Sequence, residues 1–128
     1  MKKILLVDDD LDFCEATKLI LESKAFKVSL AYDGKEGLNM ARSEQPDLVI
    51  LDVMMPEMNG YDVCVVMKAD PELNRIPVIL LTAVSQEMFK TSFTKEMGLM
   101  TEADDYIAKP VEPEELVERI EVLLKREE

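Results

Sequence analysis

The sequence contains no histidine, only two cysteines, and no apolar run long enough to cross a membrane. Without histidine the chain lacks a Ser–His–Asp triad, most zinc sites and any phosphohistidine of its own. A membrane-spanning helix needs about 20 consecutive apolar residues, and the first apolar run, 4–7, is also too short for a signal peptide. We therefore expect a cytoplasmic protein with no membrane partner.

Basic residues are also few, because 15 lysines and arginines stand against 27 acids, for a net charge of −12. Such acidity argues against direct nucleic-acid binding by this chain, which would need a basic surface. With 128 residues, of which 48% are hydrophobic, the chain is long enough for one domain, residues 1–128, with a buried core. Its chemistry must come mainly from carboxylates and hydroxyls.

Short apolar runs of strand length alternate with helical patterns along the whole chain. The runs are residues 4–7, 28–31, 48–51, 78–81 and 106–108. The third and fourth runs are typical of strands that are buried on both faces. Five such βα units predict an α/β fold, a doubly wound parallel five-stranded sheet with helices on both faces. For the strand order we adopt 2-1-3-4-5, the order of flavodoxin-like folds.

The first and last helical segments carry apolar stripes. The last segment has five apolar residues at helical spacing, namely Leu116, Val117, Ile120, Leu123 and Leu124. The first helix is expected to begin near Asp10 or Leu11. We expect its buried face to carry Phe13, Ala16 and Ile20.

Cysteines and turn sequences add local detail. Cys14 and Cys64 lie 50 positions apart within apolar helical patterns, so we expect buried thiols rather than a metal-binding pair. The dipeptides Asp-Gly at 33–34 and Asn-Gly at 59–60 are typical of turns.

Polar residues stand at the carboxyl ends of the predicted strands, where open α/β sheets carry their sites. In chain order these residues are Asp8, Asp9, Asp10, Asp52, Thr82 and Lys109. Three other acids, Asp47, Asp104 and Asp105, precede their strands, so we expect them at the opposite edge in turns or as caps. The sequence therefore predicts one polar site at the carboxyl edge of the sheet.

Carboxylates that meet at one edge repel one another and raise each other's pKa values unless a cation lies between them. An all-oxygen ligand set suits Mg²⁺, which takes one or two carboxylates plus waters. With Mg²⁺ and Lys109 neutralising its charge, a phosphoryl group can bind at this edge. Asp52 can then act as the nucleophile that forms an aspartyl phosphate.

Four segments together resemble the receiver domains of two-component response regulators, including the chemotaxis-type single-domain receivers. They are ILLVDD at 4–9, PDLVILDVMMPEMNG at 46–60, PVILLTA at 77–83 and DDYIAKP at 104–110. Each segment alone is weak evidence, but all four in this order are highly specific, and the likeness covers essentially the whole chain. The resemblance implies the same flavodoxin-like (βα)5 fold.

The resemblance also implies a phosphorylation-activated switch rather than an enzyme of metabolism. Asp52 would accept a phosphoryl group from a partner histidine kinase or phosphotransfer protein. The implied ligands of Mg²⁺ are Asp8, Asp9, Asp52 and the backbone carbonyl of Met54.

Activation is implied to run through Thr82 and Tyr106. Thr82 and Lys109 would contact the phosphoryl group, and the Tyr106 ring would change rotamer. The output face, formed by the fourth helix, fifth strand and fifth helix, would then bind a downstream protein target or output domain. The chain is either a free-standing regulator or part of a longer protein.

The separation between Thr82 and Lys109 departs from the family pattern. Lys109 follows Thr82 by 27 positions, which is longer than usual, and the surplus falls in 85–101, where the fourth helix is expected. Phe89 and Phe93 recur there at helical spacing, with Met97 one turn further on. This segment is either a longer core-facing helix or a reshaped output surface, because Met-rich surfaces suit partner binding.

Three other functions are alternatives to the switch. A receiver fold used only as an interaction scaffold would not need the complete set of site residues. An aspartyl-phosphate phosphatase or phosphomutase would place a second acid two positions after the nucleophile, where this chain has Met54. A flavin-binding flavodoxin would want a phosphate loop after the first strand, where three acids repel phosphate.

Overall fold

The structure is a computed structural model that describes residues 1–82 and 103–126 of the chain. The helix predicted over 85–101, with Phe89, Phe93 and Met97, lies outside the described residues, so both interpretations of that segment stay predictions. Among the helices that the structure describes, none is long and apolar enough to cross a membrane.

Five parallel strands form one sheet in the order β2-β1-β3-β4-β5, which confirms the predicted fold class. Their bounds are β1 Lys3–Val7, β2 Lys27–Ala31, β3 Leu48–Asp52, β4 Val78–Thr82 and β5 Asp105–Ala108. Compared with the predicted runs, β3 and β4 each extend by one residue, so Asp52 and Thr82 end their strands rather than follow them. The strand β5 begins one residue earlier, at Asp105.

The helices of the described residues begin at sequence signals for capping. Their bounds are α1 Leu11–Ser23, α2 Gly34–Glu44, α3 Gly60–Ala69 and a C-terminal helix Pro113–Arg126. The side chains of Asp10, Asp33 and Asn59 each accept a hydrogen bond from a backbone N–H of the first turn that follows. The dipeptides at 33–34 and 59–60 therefore start helices, each as a cap followed by the first helical residue, and the interpretation as turns was wrong.

Helices cover both faces of the sheet, as predicted. On one face, α1 and the C-terminal helix pack against the strands, and all five stripe residues of that last helix are buried in this core cluster. On the other face, α2 and α3 form a second buried cluster. Every residue of β3 and β4 is buried, which confirms that these central strands have no solvent-facing side.

The buried face of α1 differs from the predicted one. Cys14, Thr17 and Leu21 are the buried residues of this helix, whereas Ala16 is exposed and Phe13 and Ile20 are only partly buried. The apolar pattern misplaced the face because it skipped Thr17, a polar residue that is buried. Phe13 lies at the edge of the core, where it also reaches the carboxyl edge of the sheet.

Candidate functional site

The carboxyl edge of the sheet brings three predicted site residues into contact. Asp8 follows β1, Asp52 ends β3, and Lys109 follows β5. The Nζ of Lys109 lies 2.7 Å from Oδ2 of Asp8 and 3.7 Å from Oδ2 of Asp52. The parallel sheet produces this convergence because all of its strands end at the same edge.

Asp8 is completely buried and is held from several directions. Its Oδ1 accepts a hydrogen bond from the backbone N–H of Asp10 at 2.9 Å, and its Oδ2 accepts from Lys109. The Cys14 thiol donates to the Asp8 backbone carbonyl at 3.3 Å, and burial, followed by the charges of Asp8 and Asp10, raises the pKa of this thiol to about 12. Cys14 is therefore a protonated, structural donor, and both cysteines are buried as predicted.

Asp52 is a buried carboxylate in a constrained backbone. Burial and the charge of Asp8 raise its pKa to about 6, although Lys109 and a hydrogen bond from the Met54 backbone N–H act in the opposite direction. That N–H lies 3.2 Å from Oδ1 of Asp52. A Cβ added at Gly60 would overlap the Asp52 carbonyl oxygen, so only glycine allows α3 to start this close to the site.

The acids at this edge could hold a cation. One carboxylate oxygen from each of Asp8, Asp9 and Asp52 lies within 4.8 Å of the other two, and Asp9 is exposed to solvent. An all-oxygen donor set of this kind fits a hard divalent ion such as Mg²⁺, whose remaining ligands are waters. The contact that the structure shows for Met54 is its N–H on Asp52, so its carbonyl as a metal ligand stays a prediction.

The Lys109 ammonium lies over an aromatic ring as well as against the two acids. Its Nζ lies 4.5 Å from the centroid of the Phe13 ring, and its side chain is 19% exposed. Burial alone lowers the pKa of Lys109, but the hydrogen bond and charge of Asp8 and the charge of Asp52 raise it above the usual value, so the ammonium stays charged. Sequence reasoning treated Phe13 only as a core residue, and its place in the helix turn after Asp8 was the available signal.

Thr82 and Tyr106 lie on neighbouring strands. Thr82 is buried at the end of β4, and its backbone carbonyl accepts from the Lys109 N–H at 2.6 Å. Tyr106 is partly buried in β5, beside Leu80 in the strand register, and packs on the core cluster of α2 and α3. The structure therefore brings Thr82 to the site and places Tyr106 in the adjacent strand, as the sequence predicted for their positions.

The three acids that precede strands lie at the opposite edge, as expected, but they do not act simply as turn or cap residues. Asp47 accepts from the Lys3 N–H at 2.7 Å, and Asp104 accepts from the Val78 N–H at 2.8 Å, so both join the starts of strands. Asp105 belongs to β5, and its carboxylate binds one nitrogen of Arg119 at 2.7 and 2.8 Å. These acids link elements across the amino edge of the sheet.

A five-stranded, doubly wound α/β domain of flavodoxin-like order, with clustered acids and a lysine at its carboxyl edge, defines the class of this protein. The model of the response regulator receiver domain family matches residues 4–121. The chain belongs to this family and is a receiver domain of the two-component response regulator type.

Individual relatives agree with this assignment. The chain is 39% identical over 127 residues to the DNA-binding response regulator MtrA of Mycolicibacterium smegmatis, covering 99% of this chain and 52% of MtrA. A signal receiver domain of a signal transduction histidine kinase from Syntrophus aciditrophicus superposes with a TM-score of 0.88 at 36% identity, covering 98% of this chain and 91% of that one. The BeF3-activated DrrB receiver domain gives 0.80 at 34% identity, with 98% of both chains covered. The chain spans about half the length of the curated relatives that it matches.

Proposed function

We propose that this domain is a phosphorylation-activated switch in which Asp52 accepts a phosphoryl group from a partner histidine kinase or phosphotransfer protein. The observation that carries the proposal is the placement of Lys109, whose ammonium lies against both Asp8 and Asp52. The reaction proposed is a transfer to a phosphoacceptor, with no metabolic turnover. Downstream, the partner is a protein target or an output domain.

Each side chain at the carboxyl edge has a part in this transfer. An oxygen of ionised Asp52 forms the new bond to phosphorus while the bond from phosphorus to the donor breaks, and the electron pair of that bond leaves with the donor. Because the pKa of Asp52 is about 6, this carboxylate is mostly ionised at neutral pH. The Lys109 ammonium and the Thr82 hydroxyl then bind oxygens of the transferred group.

The acids of this site fit Mg²⁺ through the side chains of Asp8, Asp9 and Asp52, and the backbone carbonyl of Met54 is proposed as a further ligand. A bound Mg²⁺ would supply positive charge that neutralises the phosphoryl oxygens. We expect the phosphorylation of Asp52 to depend on this ion, because buried acids as close as Asp8 and Asp52 otherwise repel an incoming anion.

Intact mass spectrometry tests the assignment of the acceptor. After incubation with acetyl phosphate and Mg²⁺, the wild type should gain the mass of one phosphoryl group, and Asp52→Asn should gain none. Asp47→Asn, which changes an acid at the opposite edge of the sheet, is the matched control and should be phosphorylated like the wild type. The same adduct on Asp52→Asn would assign the phosphoryl group to another residue.

We further propose that phosphorylation changes an output face made of β5, the C-terminal helix and the helix predicted over 85–101. Thr82 and Tyr106 support this because they stand on neighbouring strands, one at the site and one partly exposed beside the core. A phosphoryl group on Asp52 supplies acceptor oxygens that draw the Thr82 hydroxyl inward, which makes room for the Tyr106 ring to turn. The group shifts a pre-existing equilibrium only by its difference in interaction with the two states.

Amide NMR spectra with and without beryllofluoride test the output face. This mimic of a phosphoryl group is suitable because the related DrrB receiver domain is known in a BeF3-activated form. Resonances should shift at Thr82, along β5 to Tyr106 and into the C-terminal helix. Shifts confined to the loops around Asp9 and Asp52 would mean that the group binds without transmission to the output face.

A further inference from the structure

We propose, on the basis of the function proposed above, that Phe13 is a positioning residue that holds the Lys109 ammonium over the acidic site through a cation–π contact. Phe13 belongs to α1, whereas every residue assigned to the site so far lies on a strand or on the loop after one. The proposal gives α1 an indirect part, through Lys109, in the chemistry of the carboxyl edge.

A closed circuit of contacts links the first turn of α1 to the lysine. Oδ1 of Asp8 accepts from the Asp10 N–H at 2.9 Å, and Oδ1 of Asp10 accepts from the Phe13 N–H at 3.1 Å. The Phe13 ring then lies 4.5 Å from Nζ of Lys109, which donates back to Oδ2 of Asp8 at 2.7 Å. Because Asp8 begins and ends this circuit, the position of the ring is set by the same carboxylate that the lysine binds.

The ring limits where the ammonium can lie. Nζ lies 2.7 Å from Oδ2 of Asp8 and 3.7 Å from Oδ2 of Asp52, and it also lies over the Phe13 ring. An ammonium near the negative face of an aromatic ring gains electrostatic attraction, and the gain increases as water is excluded. With Phe13 in place, Lys109 remains within reach of a phosphoryl group on Asp52. Without the ring, the flexible lysine side chain can turn towards solvent.

Core packing is the competing role of Phe13. Its ring also contacts the core cluster between α1 and the C-terminal helix, and it lines a small cavity there with Leu116 and Val111. If Phe13 had only a structural role, its replacement would lower the stability of the domain without a specific effect on Lys109. The test therefore needs a control variant that loses the same volume from the same cluster but does not touch the lysine.

Three variants separate the two roles. Phe13→Leu removes the aromatic face, Phe13→Tyr keeps it, and Phe26→Leu makes the same substitution at a buried position of the same core cluster. In Phe13→Leu, the rate constant for phosphorylation by acetyl phosphate with Mg²⁺ should fall about threefold to tenfold, the loss expected for a partly desolvated cation–π contact. In Phe13→Tyr and Phe26→Leu it should stay within about twofold of the wild type, and thermal unfolding reports the stability of all three.

A second readout needs no phosphodonor. The Cε protons of Lys109 should resonate upfield in the wild type and in Phe13→Tyr, because the ring current of residue 13 shields them. In Phe13→Leu they should move to the position of an ordinary lysine, and in Phe26→Leu they should not move. This signature reports the ring contact directly, whatever the stability of the variants.

Two results would overturn the proposal. One is a wild-type rate in Phe13→Leu, and the other is an equal slowing in Phe26→Leu. Either would make Phe13 a core residue only, while phosphorylation of Asp52 in the wild type would still support the proposed function. If the wild type accepted no phosphoryl group at all, the proposed function and the positioning role would both fail, and the Lys109 shifts would still show whether the ring contact exists.

Discussion

The fold around Asp52 disfavours the ionised form of its carboxylate. Its side chain is buried next to Asp8, and both effects raise its pKa, to about 6. A carboxyl whose pKa is higher in the folded state than in the unfolded chain binds its proton more tightly when folded. Its contribution to stability is therefore present at low pH and is lost as the pH rises through the folded-state pKa.

Replacing Asp52 by asparagine should remove this pH dependence. In metal-free buffer, the free energy of unfolding of Asp52→Asn relative to the wild type should increase as the pH rises from about 4 to about 6.5, and reach roughly 1 to 3 kcal/mol. Urea unfolding of both proteins at a series of pH values measures the difference. A difference that stays constant across this pH range would show that burial and Asp8 do not raise the pKa of Asp52.

Asp9 is the exposed member of the acidic cluster, and its role as a ligand can be measured without phosphorylation. A ligand that binds only the folded state adds RT ln(1 + [L]/Kd) to stability, which is about 1.4 kcal/mol when its concentration is ten times Kd. Millimolar Mg²⁺ should therefore raise the melting temperature of the wild type. Asp9→Ala should lose this increment.

The control for Asp9→Ala is Asp12→Ala, which removes an exposed acid from the first turn of α1. This variant should keep the full response to Mg²⁺, because its carboxylate is not part of the cluster formed by Asp8, Asp9 and Asp52. A response of Asp9→Ala equal to that of the control would exclude Asp9 as a ligand.

At the scale of elements, the start of α3 packs directly against the backbone of Asp52. Asn59 caps this helix by accepting from the Asp62 N–H at 2.8 Å, and Gly60 follows as the first helical residue. The Asp52 carbonyl lies so close to Gly60 that any side chain would contact it. The Gly60 backbone is not in the left-handed region, so glycine is needed there for space rather than for conformational freedom.

Gly60→Ala should destabilise the domain although alanine normally favours a helix. The added Cβ would overlap the Asp52 carbonyl oxygen, a backbone atom that cannot turn aside. We therefore expect the free energy of unfolding to fall by about 1 to 3 kcal/mol and Mg²⁺ binding to weaken. Gly37→Ala is the control, because its Cβ would meet a side-chain atom of Val7 at 2.8 Å rather than the backbone of a site residue. Denaturant unfolding and Mg²⁺ titration compare the two variants. If Gly60→Ala bound Mg²⁺ with the same affinity as the wild type, the start of α3 would have no effect on the Mg²⁺ site.

Over the whole molecule, opposite charges are paired differently at the two edges of the sheet. Among the described residues, the carboxyl edge places the buried Asp8 and Asp52 against Lys109, whereas at the amino edge Asp104 pairs with Lys68 and Asp105 pairs with Arg119. There, the Lys68 ammonium donates to the carbonyls of Asn74 and Ile76 and to Asp104, and the same Asp104 carboxylate binds the Val78 N–H. These contacts join α3, β4 and the segment before β5 at the amino edge.

Loss of the Lys68 contacts should therefore be costly. Lys68→Met should reduce the free energy of unfolding by about 2 to 3 kcal/mol. The Lys68 side chain is only 11% exposed, and its replacement removes the donor to two backbone carbonyls and to Asp104. Arg42→Ala is the control, since Arg42 is 46% exposed and 3.7 Å from Asp70, and exposed pairs contribute about 1 kcal/mol or less. Urea unfolding measures both, and similar losses in the two variants would show that the Lys68 contacts are no stronger than a surface ion pair.

Much of the architecture could be predicted from local pattern. The apolar runs located all five strands to within one residue at each end, because strands buried on both faces must be apolar throughout. Chain direction then assigned each polar residue to one edge, which placed Asp8, Asp52 and Lys109 together and Asp47 opposite. The strand order itself came from the known order of flavodoxin-like folds.

Predictions from the local sequence were wrong where contacts between residues distant in sequence decide the structure. Thr17 is polar yet buried, so the buried face of α1 was misplaced. The position of the Phe13 ring depends on α1 and on the loop after β5, which are about 95 residues apart in the chain. Strand length, chain direction and the residue types at the carboxyl edge were determined by the sequence alone, because they depend on hydrophobicity and backbone geometry. Only the tertiary structure decided which charges touch, how far Asp52 is desolvated and which ring covers Lys109, because these depend on distances between elements that only packing sets.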